Sequence, residues 1–162
     1  MVKGNDNPPK KLSSLILPVE LSCKSEYALL ALLELATHYQ SGETLQIRQI
    51  AAQQDIPDRY LEQLLATMRR GGLVKSQRGA KGGYILAREP RKITLLEVLA
   101  CLEGLDAAEC EQDTTSKSLE SGVVQEIWQE ARQAANVVLQ KYTLQDLCEQ
   151  RTVRRQLDMY YI

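Results

Sequence analysis

Residues 44–87 read TLQIRQIAAQQDIPDRYLEQLLATMRRGGLVKSQRGAKGGYILA, and their punctuation decides the fold. Ile47, Ile50 and Ala51 share one face of a short helix. Asp55-Ile56-Pro57 breaks it, because Pro57 disfavours a helical residue before it and suits the first turn of a new helix. Asp58 or Asp55 is expected to supply the capping oxygen there. The next helix is predicted from Asp58 to Arg70, with Leu61, Leu64, Leu65 and Met68 as its apolar stripe. Gly71-Gly72 ends it with residues that tolerate positive φ. Leu73–Lys75 and Tyr84–Leu86 then read as two short strands around a glycine-rich tip, a β-hairpin. Two helices on a tight turn followed by a hairpin make a winged helix-turn-helix. The fold class expected is mainly α, with this winged unit and a long C-terminal dimerisation helix.

Working outward, KSEYALLALLELATHYQ (24–40) is rich in Leu and Ala, and its apolar residues keep helical spacing up to Ser41-Gly42. On the other side, Thr94 is placed to cap a helix from Leu95 to about Glu103, with Glu97 in capping-box position. Residues 104–121 are polar and structurally weak. Val123 to Tyr142 reads as a long helix whose Val124, Ile127, Trp128, Ala131, Ala135 and Val138 share a face. Such a face, beyond an already complete domain, needs a partner chain, so these residues are the expected dimer interface. A last short helix is predicted over 144–150, capped by Thr143. The chain therefore divides into a flexible extension (1–18), a winged helix-turn-helix (19–92), linker and dimerisation helices (93–150) and a tail (151–162).

The chain has 162 residues, 44% of them hydrophobic, which is enough for one domain with a real core and excludes wholesale disorder. Its longest mainly apolar stretch, Tyr27–Ala36, is too short to span a bilayer. The N-terminal 21 residues lack the apolar region of a signal peptide, so the expected compartment is the cytoplasm, with no membrane partner. Cys23, Cys101, Cys110 and Cys148 form no CxxC and read as free thiols.

The formal net charge of −1 hides two opposite blocks. Arg59 to Lys92 carries nine basic and two acidic side chains, a net +7. Ile93 to Ala131 carries nine acidic residues against Lys117, a net −8. The basic block coincides with the second helix and the hairpin. Double-stranded DNA is the partner such a block suits, because neutralising phosphates dominates DNA affinity. Gln63 has the chemistry to pair with adenine, and Glu62 to accept from cytosine. Arg78 among glycines suits a narrow minor groove. Lys81, Arg69 and Arg70 suit phosphates.

These stretches, SEYALLALLELA, then the 48–87 segment with its YLEQL and RGAKGGY, then ITLLEVLACLEG, together resemble the IscR/NsrR/CymR-type winged-helix regulators (the Rrf-two family) over about residues 20–150. The ending DMYYI resembles the CymR branch. The resemblance implies a homodimeric, sequence-specific DNA-binding transcription regulator, a repressor in most members. It implies a recognition helix (58–70) in the major groove and a wing (77–84) at the minor groove of a near-palindromic operator. It assigns Arg59, Tyr60, Glu62 and Gln63 to the DNA-facing side of that helix, Arg78 to the wing arginine, and Gly82-Gly83 to the hairpin turn. Glu26 stands where the family usually has a basic residue, and Lys24 is the expected substitute. The family's cluster-binding members carry three cysteines and a histidine before the long helix. This chain has only Cys110 there, with Gly122 and Gln125 where the last cysteine and the histidine would fall. A [2Fe–2S] cluster needs about four protein ligands, so no cofactor is expected, the cluster being the alternative.

Cys23 and Cys110 are the candidate redox-sensing thiols. Lys24 and a helix N-terminus favour thiolate at Cys23, whereas acidic neighbours disfavour it at Cys110. Cys101 and Cys148 read as core residues, and His38 as a partner for the helix C-terminus. The tail Tyr160-Tyr161-Ile162 ends in isoleucine, which suits capture of a C-terminal carboxylate. In the CymR branch the corresponding partner is cysteine synthase. The competing functional reading is therefore a winged-helix protein-interaction module whose tail binds such an enzyme. No nucleophile–base pair, metal-ligand spacing or phosphate loop suggests that the chain is itself an enzyme.

Overall fold

The computed structural model describes residues 21–103 and 118–161. The leader 1–18, Cys110 and Ile162 lie outside the described residues.

Helix α1 (Cys23–Thr37) starts at Ser22, whose hydroxyl accepts from the Ser25 amide at 3.1 Å. It buries Ala28, Ala31, Leu32, Leu35 and Ala36. Three of these are alanines, and their small side chains let α2, α3 and α4 all pack closely on one helix. Helix α2 spans Ile47–Gln54 and α3 spans Asp58–Arg70. The break between them differs in detail from the sequence expectation. Pro57 itself is the N-cap of α3, with no side-chain capping bond. Asp55 instead closes α2 in the left-handed region at φ 53°. A short polar side chain tolerates that conformation, so Asp55 serves the turn and not the next helix.

Leu61, Leu64, Leu65 and Met68 of α3 are all buried, as the 3.6-residue spacing predicts. Replacing Leu61 or Leu65 by alanine removes a fully buried side chain, a change that costs about 2–5 kcal/mol in well-packed cores. Gly71 and Gly72 end the helix for two separate reasons. Gly72 adopts φ 72°, and a Cβ on Gly71 would strike the sulfur of Cys101.

Strands β1 (Val74–Gln77) and β2 (Gly83–Leu86) form an antiparallel hairpin with Val74 opposite Leu86 and Gln77 opposite Gly83. A single 3-10 turn follows at Pro90–Lys92, then α4 (Leu95–Glu103). The Thr94 hydroxyl accepts from the Glu97 amide at 3.2 Å, as expected. The Glu97 carboxylate does not complete the box; it pairs with Arg88.

Helix α5 (Leu119–Lys141) and helix α6 (Leu144–Tyr160) complete the described chain. Only Tyr142 and Thr143 separate them. This joint is pinned to the start of α4: Leu95 donates to the Tyr142 carbonyl at 2.9 Å, and Leu144 to the Ile93 carbonyl at 3.0 Å. Thr143 and Asp146 form a capping box. The short last helix expected over 144–150 is a correction: α6 continues through Arg151 to Tyr160, so residues 151–160 are helical. Val153, Leu157 and Tyr160 fall at i, i+4 and i+7, and they are exposed. α6 packs on α1 and on the 3-10 turn, and Leu144 at its start is fully buried.

Candidate DNA-binding surface

The buried stripe of α3 dictates what its other side presents. With Leu61, Leu64 and Leu65 turned inward, Arg59, Glu62 and Gln63 are exposed together near the N-terminal end. Tyr60 behaves differently. It is half-buried against the core, and its ring meets that of Tyr27 edge-on, centroids 5.8 Å apart at 76°. The contact joins the second turn of α1 to the first turn of α3, which gives Tyr60 a structural task besides any contact with DNA.

At the other end of α3, Arg69 Nη1 donates to Ser76 Oγ at 3.2 Å and Arg70 Nη2 to Thr67 Oγ1 at 3.3 Å. Both side chains remain exposed. Their charges complement the α3 carboxyl terminus, and the Arg69 bond braces helix against wing.

The wing tip is built from backbone. Gly79 takes φ 112°, and the Gly82 amide returns to the Gly79 carbonyl at 2.9 Å. A Cβ on Gly82 would lie 2.7 Å from the Gln77 carbonyl oxygen, so the turn closes only with glycine there. Gly82 and Gly83 thus shape the hairpin, and Arg78 and Lys81 project as its exposed charges. Thr44 Oγ1 donates to the Lys81 carbonyl at 2.6 Å, fixing the tip toward the start of α2.

The basic block is less uniform than its count suggests. Arg88 pairs with Glu97 of α4, and Glu89 takes both Arg91 (2.5 Å) and Lys92 (3.6 Å). The Arg91 hydrogen bond, chiefly, holds the Glu89 carboxyl below its usual range. Three of the nine cations are therefore paired with carboxylates, while Arg59, Lys75, Arg78 and Lys81 are exposed on the helix and wing. Lys24 is also engaged: its Nζ donates to the Leu102 carbonyl at the end of α4, 3.2 Å away. Glu26 lies in the first turn of α1, where a carboxylate complements the helix dipole.

The second surface is α5. Val124, Ile127, Trp128 and Val138 are 65, 64, 44 and 55% exposed, and Ala131 is exposed with them. Ala135 is half-buried. No residue of the helix is buried. The stripe from Val124 to Val138 runs about 21 Å along this 23-residue helix and is left mostly uncovered by the described residues of its own chain.

The described thiols are separate. Cys23 is exposed at the first position of α1. Cys101 and Cys148 are half-buried against the core, and burial is the main cause that pushes both thiols above the usual range. His38 caps α1, its Nδ1 3.1 Å from the Glu34 carbonyl. Among the described residues no group of three or more His, Cys, Asp or Glu side chains is placed to hold a metal ion. No helix among them is long and apolar enough to cross a membrane.

Comparison with known proteins decides what this architecture is. Residues 21–150 match the model of the Rrf2 family, described as iron-dependent transcriptional regulators. The chain belongs to the Rrf2 family. As a member it is an HTH-type transcriptional regulator that binds DNA as a homodimer. It is 36% identical to the regulator CymR of Bacillus subtilis over 145 residues, 89% of this chain and all of that one. It is 31% identical to IscR of Xenorhabdus nematophila over 83% of this chain and 82% of that one. Among solved structures, T. potens IscR superposes with a TM-score of 0.67 at 35% identity, over 83% of this chain and 89% of that one. The global cysteine regulator CymR of B. subtilis superposes at 0.66 and 34% identity, over 81 and 97%.

The iron of the Rrf2 description meets a donor set that does not fit a cluster. Cys23, Cys101 and Cys148 belong to α1, α4 and α6, and the segment before α5 carries a single cysteine. His38 is the chain's sole histidine, and it closes α1.

Three features escaped the sequence reading. One is the length of α6, although Val153, Leu157 and Tyr160 signalled it. The second is a bridge between Leu45 and Tyr84, which leaves no trace in either segment alone. The third is a set of polar contacts around Glu34, joining elements that lie far apart in sequence.

Proposed function

We propose that this Rrf2 protein represses transcription from a near-palindromic operator, with α3 in the major groove and the β1–β2 wing at the neighbouring minor groove. One observation carries this: Arg59, Glu62 and Gln63 are exposed together on α3, and Arg78 and Lys81 are exposed on the hairpin beside it. Gln63 and Glu62 have the hydrogen-bonding pattern to read base edges. Arg78 suits the negative potential of a narrow minor groove. Arg59, Lys81, Arg69 and Arg70 suit phosphates. Lys24, held at the α4 terminus, is a weaker candidate, and Tyr60 reaches DNA only from its partly buried position.

The dimer seam in this reading is α5, with Val124, Ile127, Trp128, Ala131, Ala135 and Val138 meeting their copies. A two-fold pair presents its recognition helices to half-sites one or more helical turns apart.

Selection from a random duplex library, followed by the same selection with Gln63→Ala, tests the assignment. The wild type should enrich a two-fold symmetric motif. The variant should lose preference at one base position per half-site, worth about 1–3 kcal/mol. An unchanged motif would remove α3 from the reading.

The likeness to CymR, a global cysteine regulator, keeps one finer partner in view: cysteine synthase, captured through Tyr160, Tyr161 and Ile162. Tyr160 ends α6 and Tyr161 is 89% exposed. A pull-down in which deleting residues 160–162 leaves synthase binding unchanged would remove this partner.

A further inference from the structure

Glu34 lies on α1 at the meeting point of three elements, and its side chain is 14% exposed. Its Oε2 accepts from Gln54 Nε2 at 3.1 Å, which reaches the last turn of α2. The same carboxylate faces Arg151 Nη1 of α6 at 3.8 Å, where the guanidinium is 21% exposed. Arg151 also donates to Thr37 Oγ1, one turn along α1. The ring of His38 stands 4.0 Å from the other Glu34 oxygen. One carboxylate thus joins the helix-turn-helix to the C-terminal arm.

The mechanical consequence follows from where α6 is otherwise held. Its start is fixed at the Tyr142–Leu144 joint against residues 93–95. Leu147 and Cys148 pack on the core within the next turn. Arg151 lies seven residues from Leu144, about 10 Å along the axis, and its contacts with Glu34 and Thr37 extend the hold on α6 to that point. Beyond Arg151, residues 152–160 are exposed.

We infer that Glu34 is a positioning residue: with Arg151 and Gln54 it locks α2 of the reading head to the α5–α6 arm, and so sets the distance between the two recognition helices of the dimer. The inference rests on the dimeric operator-binding reading above. A contact far from DNA then controls half-site spacing, a property that no residue on α3 or the wing determines alone. Both partners of the Glu34–Arg151 pair are mostly withdrawn from water, so removing either leaves an uncompensated charge and loosens the joint.

The test uses the full chain as wild type, Glu34→Gln, Arg151→Met and the exchanged pair Glu34→Arg/Arg151→Glu. Each is measured for melting temperature, for mass by sedimentation, for affinity to a duplex with one half-site, and for affinity to operators whose half-sites are separated by varied spacers. Glu34→Gln and Arg151→Met should remain folded dimers and keep single-half-site affinity within about twofold. Their affinity for the optimal spacer should fall about tenfold and their spacer preference should broaden, because coupled contacts of this kind carry a non-additive energy of that size. The exchanged pair should recover part of the preference. Unchanged spacer preference in both single variants overturns the inference, and so does a parallel loss on single and paired half-sites, which marks a merely structural defect. A wild type with no spacer preference overturns the dimeric reading and this inference with it.

Discussion

Tyr84 in β2 and Leu45 ahead of α2 exchange backbone hydrogen bonds in both directions, at 3.0 and 2.8 Å. This isolated bridge makes the wing part of the helix-turn-helix and not a loose appendage to it. Gly83 permits the approach, since a Cβ there would lie 2.5 Å from the Leu45 carbonyl oxygen. Gly83→Ala should therefore push the hairpin off Leu45 and destabilise the protein by about 1–3 kcal/mol. Urea titration checks the loss. Amide hydrogen exchange at Leu45 and Tyr84 should rise more than exchange in α1.

Exposed and engaged arginines of the basic block should separate in a DNA titration. Arg78→Ala removes an exposed wing charge, so it should weaken operator binding about tenfold and lower the salt dependence by about one counterion. Arg88→Ala removes the partner of Glu97 and should leave the salt dependence unchanged. Equal salt slopes for the two variants would contradict the division of the block drawn from their contacts.

The uncovered stripe on α5 makes a concentration-dependent prediction. Trp128→Asp places a charge in the middle of an apolar seam, next to Ile127 and Ala131. The variant should sediment as a folded monomer at concentrations where the wild type is a dimer, because an unpaired charge in such a seam is strongly unfavourable. Its far-ultraviolet circular dichroism should be nearly unchanged. A dimer of normal mass would move the interface elsewhere.

Acid should loosen α6 from its N-terminal end. The Thr143 amide donates to Asp146 Oδ2 at 2.7 Å and the Thr143 hydroxyl donates at 2.8 Å. These bonds, the backbone one first, hold the Asp146 carboxyl below its ordinary value. A carboxyl lowered by folding binds its proton less readily in the folded chain than in the unfolded one. Its contribution is complete above the unfolded pKa and disappears as pH falls through the folded one. Asp146→Ala should be less stable than wild type at pH 7, and the gap should close on acidification below about pH 4. Paired denaturation curves between pH 7 and pH 3 measure it; a gap independent of pH would remove the capping carboxylate as its cause.

Much of the reading head was legible because it depends on local rules. Pro57 starts α3, glycine ends it, and leucines at helical spacing bury one side, so Arg59, Glu62 and Gln63 had to face outward. The capping of α3 was misread because Asp55 has two uses available to it, and only the turn geometry selects between them. The engagement of Arg88, Arg91 and Lys92 was not legible from charge counting, since a count gives no distances.

Residue type and short-range spacing set the order of elements, the buried stripe of α3, the glycine tip of the wing and the poverty of cluster ligands. The tertiary structure decided which cations stay exposed, how the wing is tied to Leu45, and that Glu34 links α2 to α6. The last two are meetings of residues twenty or more positions apart, which no local pattern encodes, and the cations' partners depend on distances that residue type alone does not give. Those meetings exist only once the shared core of α1 and α3 has brought the helices within hydrogen-bonding distance.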